Sequence, residues 1–536
     1  MKTTFSWRLA PVLLLALLFS VAAHAAMWQY SVPAGKGTAN MWIPPQTQTL
    51  RGFFVIGQLG IEAELLRSAE VRQALADNDM GIVYFTPHIN GTFMFWKDAT
   101  ITPSFLKAFD DLAAASGHPE VARVPWITAG HSTAGIYCRN VAYWQPERTA
   151  GVVSIKSGDY LEKGSMPPAE YSLAGVPLVS INGQFETYGP STIPAELKEG
   201  NFDKTLGRET QWLYAQRMLQ TWRTQNPQYL MAEIPHPGGD HFFGSPELAS
   251  FVATFIRKSA QYRIPKLIPA GTDPVKCLTV KAEDGWLIDP DYRNPKIAGA
   301  AYNDYAGDKG QAMWFYDKEM AEAAQKWMHN LGNPQALQWS KEVKFIDEGD
   351  GMSFTTATDF SKTMSTSIGA ALGGKEVGHA TTPIVYRTIP GHGLEQTGPN
   401  TFHFLRVPGG RGKKTYTVIF YNPGDDKFAE TTTWNDVEFP TVKGEKQTIT
   451  FQAIADLKAD AFPYTLNATA TSGLPVHYEA DFGPIDVVDG KLVLSEIPTN
   501  AQYPFECKVS AYQVGSRFGK LYTPAAPVSV TFKVVK

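Results

Sequence analysis

From residue 27 to about residue 265, the sequence alternates between short apolar segments and longer segments of helical composition. The apolar segments are continuous, without polar residues at every second position, which is typical of strands buried on both faces of a sheet. Strands of this kind that alternate with helices predict a mostly parallel sheet covered by helices on both sides. We therefore expect an α/β domain in the first half of the chain.

One of the predicted strands runs into a turn of small residues. The turn lies in residues 126–135 (sequence WITAGHSTAG) and has Ser132 at its apex, before a helical segment. Gly130 and Ala134 are small, so strand and helix can approach each other there. The form Gly-x-Ser-x-Ala resembles the nucleophile elbow of the α/β-hydrolase family, in which the serine hydroxyl stands above the sheet. Ala134 replaces the more common glycine.

The resemblance implies an acid and a histidine that follow the serine in this order along the chain. A serine hydroxyl needs a base to take its proton, and the base needs an acid to fix its tautomer. Glu186 stands three residues past Gly183, at the end of an apolar strand, and His241 precedes a helix that starts at Pro246. The implied catalytic residues are therefore Ser132, Glu186 and His241.

Two further features belong to the implied site, an alternative acid and an oxyanion hole. Asp159, after the strand before Glu186, is the alternative acid. The resemblance also implies an oxyanion hole of two backbone N–H groups, one from the residue after the nucleophile and one from the loop after the third strand. These are Thr133 and, in the segment 57–60, Gln58 or Leu59, of which Gln58 is preferred.

The implied activity is that of a serine ester hydrolase that forms an acyl-enzyme. The connection between the strands that end at residue 155 and start at residue 176 is too short for a large lid, and β-rich modules follow the catalytic part. These features favour esters carried by carbohydrates or plant polymers. The alternatives are a lipase or simple carboxylesterase, a serine peptidase and, from another class, a non-catalytic polysaccharide-binding or scaffolding protein.

The first 25 residues have the pattern of a secretory signal peptide. Lys2 and Arg8 flank an apolar run over residues 9–22, and residues 23–25 (sequence AHA) form a small-x-small cleavage site. The apolar run is short for a membrane span. We therefore expect cleavage after Ala25, a mature protein without a membrane partner, and a secreted or periplasmic location.

Charge and motif content argue against several other classes of protein. The net charge of the 536 residues is −4, without a long basic run, so no nucleic-acid partner is expected. The three cysteines are too few and too widely spaced for a disulfide framework. No segment has the ligand spacing of a zinc or calcium site, or a phosphate-binding or dinucleotide fingerprint. We therefore expect neither a metal nor a cofactor.

After the catalytic part, residues 27–265, the alternation of strands and helices stops. Residues 266–440 predict a β-rich middle domain with one helix, over 312–328. Residues 441–536 contain six or seven short strand-like segments and a tight turn at Asp489-Gly490, which predicts a β-sandwich. This tail resembles an immunoglobulin-like module.

Overall fold

The structure is a computed structural model. It describes residues 28–536 except for 58–59, 87–89, 158–165, 185, 187–201, 204–207, 210, 238, 240, 243, 292–294, 333–337, 339–342, 350–351, 361–377, 389–392, 409–413 and 429–430. The predicted signal peptide, the alternative acid Asp159 and the predicted oxyanion residues Gln58 and Leu59 therefore lie outside the described residues.

A large sheet forms the centre of the first half of the chain. The strands up to residue 236 are β1 (Tyr30–Ala34), β2 (Gly37–Trp42), β3 (Gly52–Gly57), β4 (Met80–Thr86), β5 (Trp126–His131), β6 (Thr149–Ile155), β7 (Leu178–Gly183), β8 (Phe202–Asp203), β9 (Arg208–Glu209) and β10 (Met231–His236). Eight of them form one sheet in the order β1-β2-β4-β3-β5-β6-β7-β10, and β8 pairs with β9. β2 is antiparallel to both of its neighbours, β1 and β4. The pairings that follow in the sheet, from β4-β3 to β7-β10, are all parallel. The predicted mostly parallel sheet is confirmed.

Helices cover both faces of this sheet. The helices are α1 (Glu62–Arg67), α2 (Ala69–Ala76), α3 (Asn90–Phe93), α4 (Ile101–Ser116), α5 (Thr133–Trp144), α6 (Gln211–Gln225), α7 (Pro246–Tyr262) and α8 (Lys318–Gly332). Neighbouring residues of β3 belong to different cores, with Phe54 on the side of α2 and α7 and Phe53 on the side of α4. Among the described residues, no helix combines the length and the apolar character that crossing a membrane requires.

Side-chain caps set two of these helix boundaries. At Ser68 the backbone is extended and the hydroxyl accepts a hydrogen bond from Val71 N at 3.4 Å, so the segment 61–76 forms two helices, α1 and α2. The Ser245 hydroxyl accepts from Leu248 N at 3.1 Å and caps α7, whose first residue is Pro246. A capping hydroxyl satisfies a backbone N–H that has no partner inside the helix.

Residues 282–332 pack onto the core of the large sheet. They form the strands β11 (Trp286–Ile288), β12 (Ala300–Ala301) and β13 (Met313–Phe315), which pair in the order β12-β11-β13, and the helix α8. Trp314, Phe315 and Trp327 belong to the same apolar core as Phe54. The helix predicted over 312–328 starts later, at Lys318, because residues 313–315 form a strand and the Asp317 carboxylate accepts from Met320 N at 3.0 Å.

Residues 343–439 have an apolar core of their own. Their strands are β14 (Lys344–Asp347), β15 (Ser353–Ala357), β16 (Val385–Thr388), β17 (Leu394–Gln396), β18 (Thr401–Phe404), β19 (Thr415–Asn422) and β20 (Thr431–Glu438). They form two antiparallel sheets, β14-β15-β18-β17 and β16-β19-β20. Phe354 and Phe402 of one sheet share a core with Val418 and Phe420 of the other. The predicted middle domain, residues 266–440, is thus divided between two cores.

The C-terminal part consists of small, mostly antiparallel sheets. Its strands are β21 (Ile449–Phe451), β22 (Leu457–Lys458), β23 (Tyr464–Thr465), β24 (Ala468–Ala470), β25 (His477–Phe482), β26 (Ile485–Val488), β27 (Lys491–Leu494), β28 (Phe505–Tyr512) and β29 (Val528–Val535). The predicted turn at Asp489-Gly490 joins β26 to β27, and both residues have positive φ. These sheets fit the predicted β-sandwich, and an immunoglobulin-like topology remains a prediction. Phe505 and Val534 share an apolar core with Tyr30 of β1.

Candidate active site

Ser132 lies in the turn between β5 and α5 with φ 54° and ψ −126°. A positive φ is unfavourable for a residue with a side chain and persists only where the surroundings hold it. Two hydrogen bonds do so here. Ser132 N donates to Ile155 O at 2.8 Å, and the Ser157 hydroxyl donates to Ser132 O at 2.7 Å. Both partners come from β6 and the residues just after it, so the turn is fixed to the neighbouring strand.

The small residues around Ser132 are required by the close approach of strand and helix. A Cβ atom on Gly130 would overlap with the backbone carbonyl of Ala134, and one on Gly135 would overlap with the Ser157 hydroxyl. Backbone atoms cannot move aside as a flexible side chain can. The turn therefore excludes any larger residue at position 130.

The structure brings Ser132, His241 and Glu186 together. The Ser132 hydroxyl donates to Nε2 of His241 at 3.1 Å, and Nδ1–H of His241 donates to Oε1 of Glu186 at 2.6 Å. The Glu186 side chain is 2% exposed, whereas the His241 side chain is 28% exposed. The buried carboxylate fixes the imidazole tautomer that leaves Nε2 free to accept the serine proton.

Glu186 is itself held by backbone groups. Its Oε2 accepts from Gly183 N at 2.6 Å, and its carbonyl oxygen accepts from Gln211 N at 3.0 Å, at the start of α6. A Cβ atom on Gly183 would lie 2.5 Å from Gly239 O and 3.1 Å from Glu186 Cγ. The glycine therefore lets the acid and the loop that carries His241 come close to the end of β7.

The three residues follow three strands at the same edge of the sheet. Ser132 follows β5, Glu186 follows β7 and His241 follows β10, and these strands lie in the order β5-β6-β7-β10 at one side of the sheet. This sheet, with a strained serine between β5 and α5, gives the arrangement that the elbow sequence implies. The N-terminal domain has the α/β-hydrolase fold. The large sheet, its helices and residues 282–332 are called the hydrolase domain below.

Comparison with known proteins gives structural matches alone. No protein-family model and no curated protein matches the sequence. A poly(aspartic acid) hydrolase from Sphingomonas sp. KT-1 matches with 12% identity and a TM-score of 0.30, over 42% of this chain and 97% of its own. A poly(3-hydroxybutyrate) depolymerase from Bordetella parapertussis matches with 15% identity and a TM-score of 0.28, over 41% and 84%. An alpha-beta serine hydrolase homologue from Coxiella burnetii has 14% identity and a TM-score of 0.26, over 43% and 95%.

The first predicted oxyanion donor lies at the start of α5. Thr133 is the first residue of this helix, where backbone N–H groups have no acceptor within the helix. These N–H groups carry the positive end of the helix dipole, which favours a negative charge. The amide of Thr133 is thus available beside the Ser132 hydroxyl.

Glu62 is a buried residue near the site, and no sequence motif identifies it. Its Oε2 accepts from Gly60 N at 2.5 Å, and its Oε1 accepts from His131 N at 3.1 Å. One carboxylate thus joins the loop after β3, where the second oxyanion donor is predicted, to the residue before Ser132. The signal in the sequence is an acidic residue directly after the apolar Ile61, at a helix start where acids are favourable.

His131 connects the elbow to the loop that carries His241. Its Nε2–H donates to the carbonyl oxygen of His241 at 2.7 Å, and the two rings lie 4.7 Å apart. Complete burial, together with the nearby His241, lowers the pKa of His131 well below its usual value of 6.5. His131 is therefore neutral at pH 7 and acts as a hydrogen-bond donor to the backbone.

A buried polar cluster lies beneath Glu186 on β7 and β10. Asn182 donates from Nδ2 to Glu233 Oε1 at 2.9 Å and to the Ser180 hydroxyl at 3.1 Å. Burial raises the pKa of Glu233 well above 4.5, hydrogen bonds from Ser180 and Asn182 oppose the rise, and the charge of Glu186 adds to it. Burial therefore favours the protonated form of Glu233.

The described residues contain no group of three or more His, Cys, Asp or Glu side chains that could hold a metal ion. All three cysteines are free. Cys138, on α5, donates its Sγ–H to the carbonyl oxygen of Ala129, and burial raises the pKa of its thiol. A buried, protonated thiol of this kind is not a nucleophile.

Proposed function

We propose that this protein is a serine hydrolase that cleaves carboxylic esters. The observation that carries the proposal is the hydrogen-bonded chain from the Ser132 hydroxyl through the His241 imidazole to the buried Glu186 carboxylate. Nucleophile, base and acid in this geometry are what acyl transfer to serine requires. The strained backbone of Ser132 supports the proposal, since strain of this kind is concentrated at functional sites.

The geometry gives each group one role in the reaction. His241 Nε2 takes the Ser132 proton as Oγ attacks the ester carbonyl carbon, and the carbonyl oxygen becomes an oxyanion. The Thr133 amide donates to this oxyanion. His241 then gives the proton to the departing alkoxide, which leaves as the alcohol. Water attacks the acyl-enzyme in a second cycle of the same steps and releases the carboxylic acid.

The first test is labelling and turnover of the purified protein. We expect a fluorophosphonate probe to label Ser132, and Ser132→Ala to lose both labelling and p-nitrophenyl acetate turnover, the latter by roughly 10⁴- to 10⁶-fold. The matched control is Ser104→Ala, since the Ser104 hydroxyl on α4 donates to Thr100 O away from the site. Absence of labelling and turnover in the unaltered protein would refute the enzyme proposal and favour the non-catalytic alternative.

The same assay identifies the acid. Glu186→Gln removes the charge that fixes the His241 tautomer, so turnover is expected to fall by roughly 10³- to 10⁴-fold. Asp159→Asn is the comparison, because Asp159 is the alternative acid. A large loss in the Asp159 variant with little change in the Glu186 variant would exchange the two assignments.

We further propose that the substrate is an ester carried by a carbohydrate or plant polymer. His241 is 28% exposed, and an accessible base suits a bulky or polymer-attached ester better than a deeply buried site would. Acetylated, feruloylated and uronate-methyl-ester glycans are the substrates to compare with short acyl esters and triglycerides. A higher kcat/KM for simple esters would favour the carboxylesterase alternative, and a higher kcat/KM for triglycerides would favour the lipase. Cleavage of peptides would favour the peptidase alternative.

Export is proposed together with this activity. The pattern of residues 1–25 predicts cleavage after Ala25 and a secreted or periplasmic protein. Mass spectrometry of the protein recovered from a bacterial periplasm or culture medium measures the mature N-terminus directly. A mature protein that starts at residue 26 is expected, whereas retention of residues 1–25 in the cytoplasm would refute export.

A further inference from the structure

The sheet β16-β19-β20, called the middle sheet below, has one face that points away from the apolar core around Val418 and Phe420. Arg387 lies opposite Ile419, which lies opposite Trp434, and residues directly opposite each other in neighbouring strands point to the same face. The neighbouring positions Val418 and Phe420 point to the other face, into the core that this sheet shares with the sheet β14-β15-β18-β17. The face that carries Arg387 and Trp434 is therefore available for contact with another part of the chain.

This face contacts the loop that carries His241. Arg387 donates from Nη2 to the carbonyl oxygen of Gly244 at 2.5 Å. The Trp434 ring lies edge-to-face against Phe242, with ring centroids 4.9 Å apart and planes at 81°. Phe242 in turn lies edge-to-face against the His241 ring, at 4.8 Å and 88°. Trp434 thus reaches the base through Phe242, whereas Arg387 holds the same loop three residues further along the chain, at Gly244.

Charges on the two sides of this contact are complementary. Glu64, on α1 of the hydrolase domain, packs so closely against Gly244 that a Cβ atom there would overlap with its carboxylate. Burial raises the pKa of Glu64, and the positive charges of Arg387 and Lys156 act in the opposite direction. Arg387 therefore binds a backbone carbonyl of the loop and also compensates an acidic residue packed beneath it.

The loop is also tied to the hydrolase domain, through the hydrogen bond from His241 to Glu186 and through two further hydrogen bonds. His131 donates to the His241 carbonyl oxygen, and Ser245 contacts His236 through a hydrogen bond of 3.1 Å. A loop over the edge of a sheet is mobile unless it is held, and a displacement of about 1 Å at a catalytic group can cost roughly 10²-fold in rate. The contact with the middle sheet supplies additional support on the outer side.

We propose that Arg387 and Trp434 are positioning residues for His241, so that the middle β-sheet is a working part of the active site of the hydrolase domain. This inference rests on the proposed function. It goes beyond that function, because the hydrolase domain then does not hold its base alone and depends on residues more than a hundred positions away in the sequence.

The test compares Arg387→Met, Trp434→Ala and Trp434→Phe in the full-length protein, at temperatures well below each Tm. The first two are expected to slow fluorophosphonate labelling of Ser132 by roughly 10- to 100-fold. They are also expected to speed hydrogen exchange in the peptide that contains residues 239–248. Trp434→Phe keeps an aromatic edge against Phe242 and is expected to restore most of the labelling rate.

Matched controls separate positioning from general stability. Arg406→Met removes an arginine that pairs with Glu479 at 3.3 Å, and Phe420→Leu alters the opposite face of the same sheet. Both are expected to lower Tm without changing labelling of the remaining folded protein. Equal losses in controls and test variants would overturn the inference.

The two readouts also distinguish this inference from the proposed function. Unchanged hydrogen exchange of the loop in Arg387→Met and Trp434→Ala would overturn the inference whatever the activity of the protein. Faster exchange with an unchanged labelling rate would overturn the positioning role. Faster exchange in a protein that is not labelled even when unaltered would refute the proposed function and support the structural contact.

Discussion

At the scale of single residues, the region around Ser132 contains three buried carboxyl groups with different hydrogen-bond partners. Glu186 accepts the hydrogen bond from His241 Nδ1, whereas burial raises the pKa of Glu233, beneath it, well above 4.5. Glu62 joins two loops by accepting backbone N–H groups. No sequence motif marks Glu62 or Glu233, because the role of a buried carboxyl depends on partners that are close in space and can be distant in sequence. Glu186 was therefore predictable from its place after a strand, whereas Glu62 and Glu233 were not.

Glu233 gives a prediction on pH dependence. A carboxyl whose pKa is higher in the folded than in the unfolded protein stabilises less as pH rises, because the unfolded form loses its proton first. The free energy of unfolding is expected to fall by at most about 1.4 kcal/mol per pH unit above a pH of about 4.5, until the pKa in the folded protein is reached. Glu233→Gln removes this slope.

Thermal unfolding between pH 5 and pH 8 measures the effect. The Tm of Glu233→Gln relative to the unaltered protein is expected to increase toward pH 8. Glu322→Gln, at an exposed position of α8, is the control and is expected to give a constant difference. A Tm difference for Glu233→Gln that does not depend on pH would show that Glu233 titrates normally.

At the scale of elements, the turn between β5 and α5 carries a steric prediction. Gly130→Ala places a Cβ atom against the Ala134 carbonyl, and the backbone there has no free direction in which to move. The variant is expected to lose about 1–3 kcal/mol of unfolding free energy and most of its labelling by fluorophosphonate. Gly398→Ala is the control, because a Cβ atom there lies 3.3 Å from the nearest atom, the Thr401 hydroxyl. Full labelling of Gly130→Ala would contradict the close approach of strand and helix.

Elements were predictable from sequence where one periodicity dominates. The buried strands of the large sheet read as continuous apolar runs, and Ser245-Pro246 marks the start of α7. The start of α8 was predicted too early, because Met313 and Trp314 fit an apolar helix face as well as a strand. The contact between Arg387 and the His241 loop has no local pattern at all, since it joins residues 143 positions apart.

At the scale of the whole molecule, the first and last parts of the chain are packed into one core. The ring of Tyr30 on β1 lies 5.2 Å from that of Phe505 on β28, and Thr499 N donates to Pro45 O at 3.0 Å. Residues 282–332 extend the core on the other face of the sheet. The C-terminal sheets therefore act as structural parts of the hydrolase domain and not as a tethered module.

This packing predicts that the two regions unfold together. Phe505→Ala removes a buried ring from the shared core and is expected to cost about 3–5 kcal/mol. Differential scanning calorimetry is expected to show one transition at lower temperature, with Ser132 labelling lost in the same range. Phe518→Ala is the control, since its ring is 73% exposed. A separate early transition that leaves Ser132 labelling intact would show that the C-terminal sheets unfold independently.

The contact between Tyr30 and Phe505 has a consequence for synthesis of the chain. β1 is an edge strand, and Phe505, whose ring packs against Tyr30, is added by the ribosome on the order of a minute later. During this interval a nascent chain exposes unpaired backbone groups beside uncovered aromatic rings, which is a template for association with other chains. We therefore expect the growing polypeptide to need protection from association until residue 505 has been added.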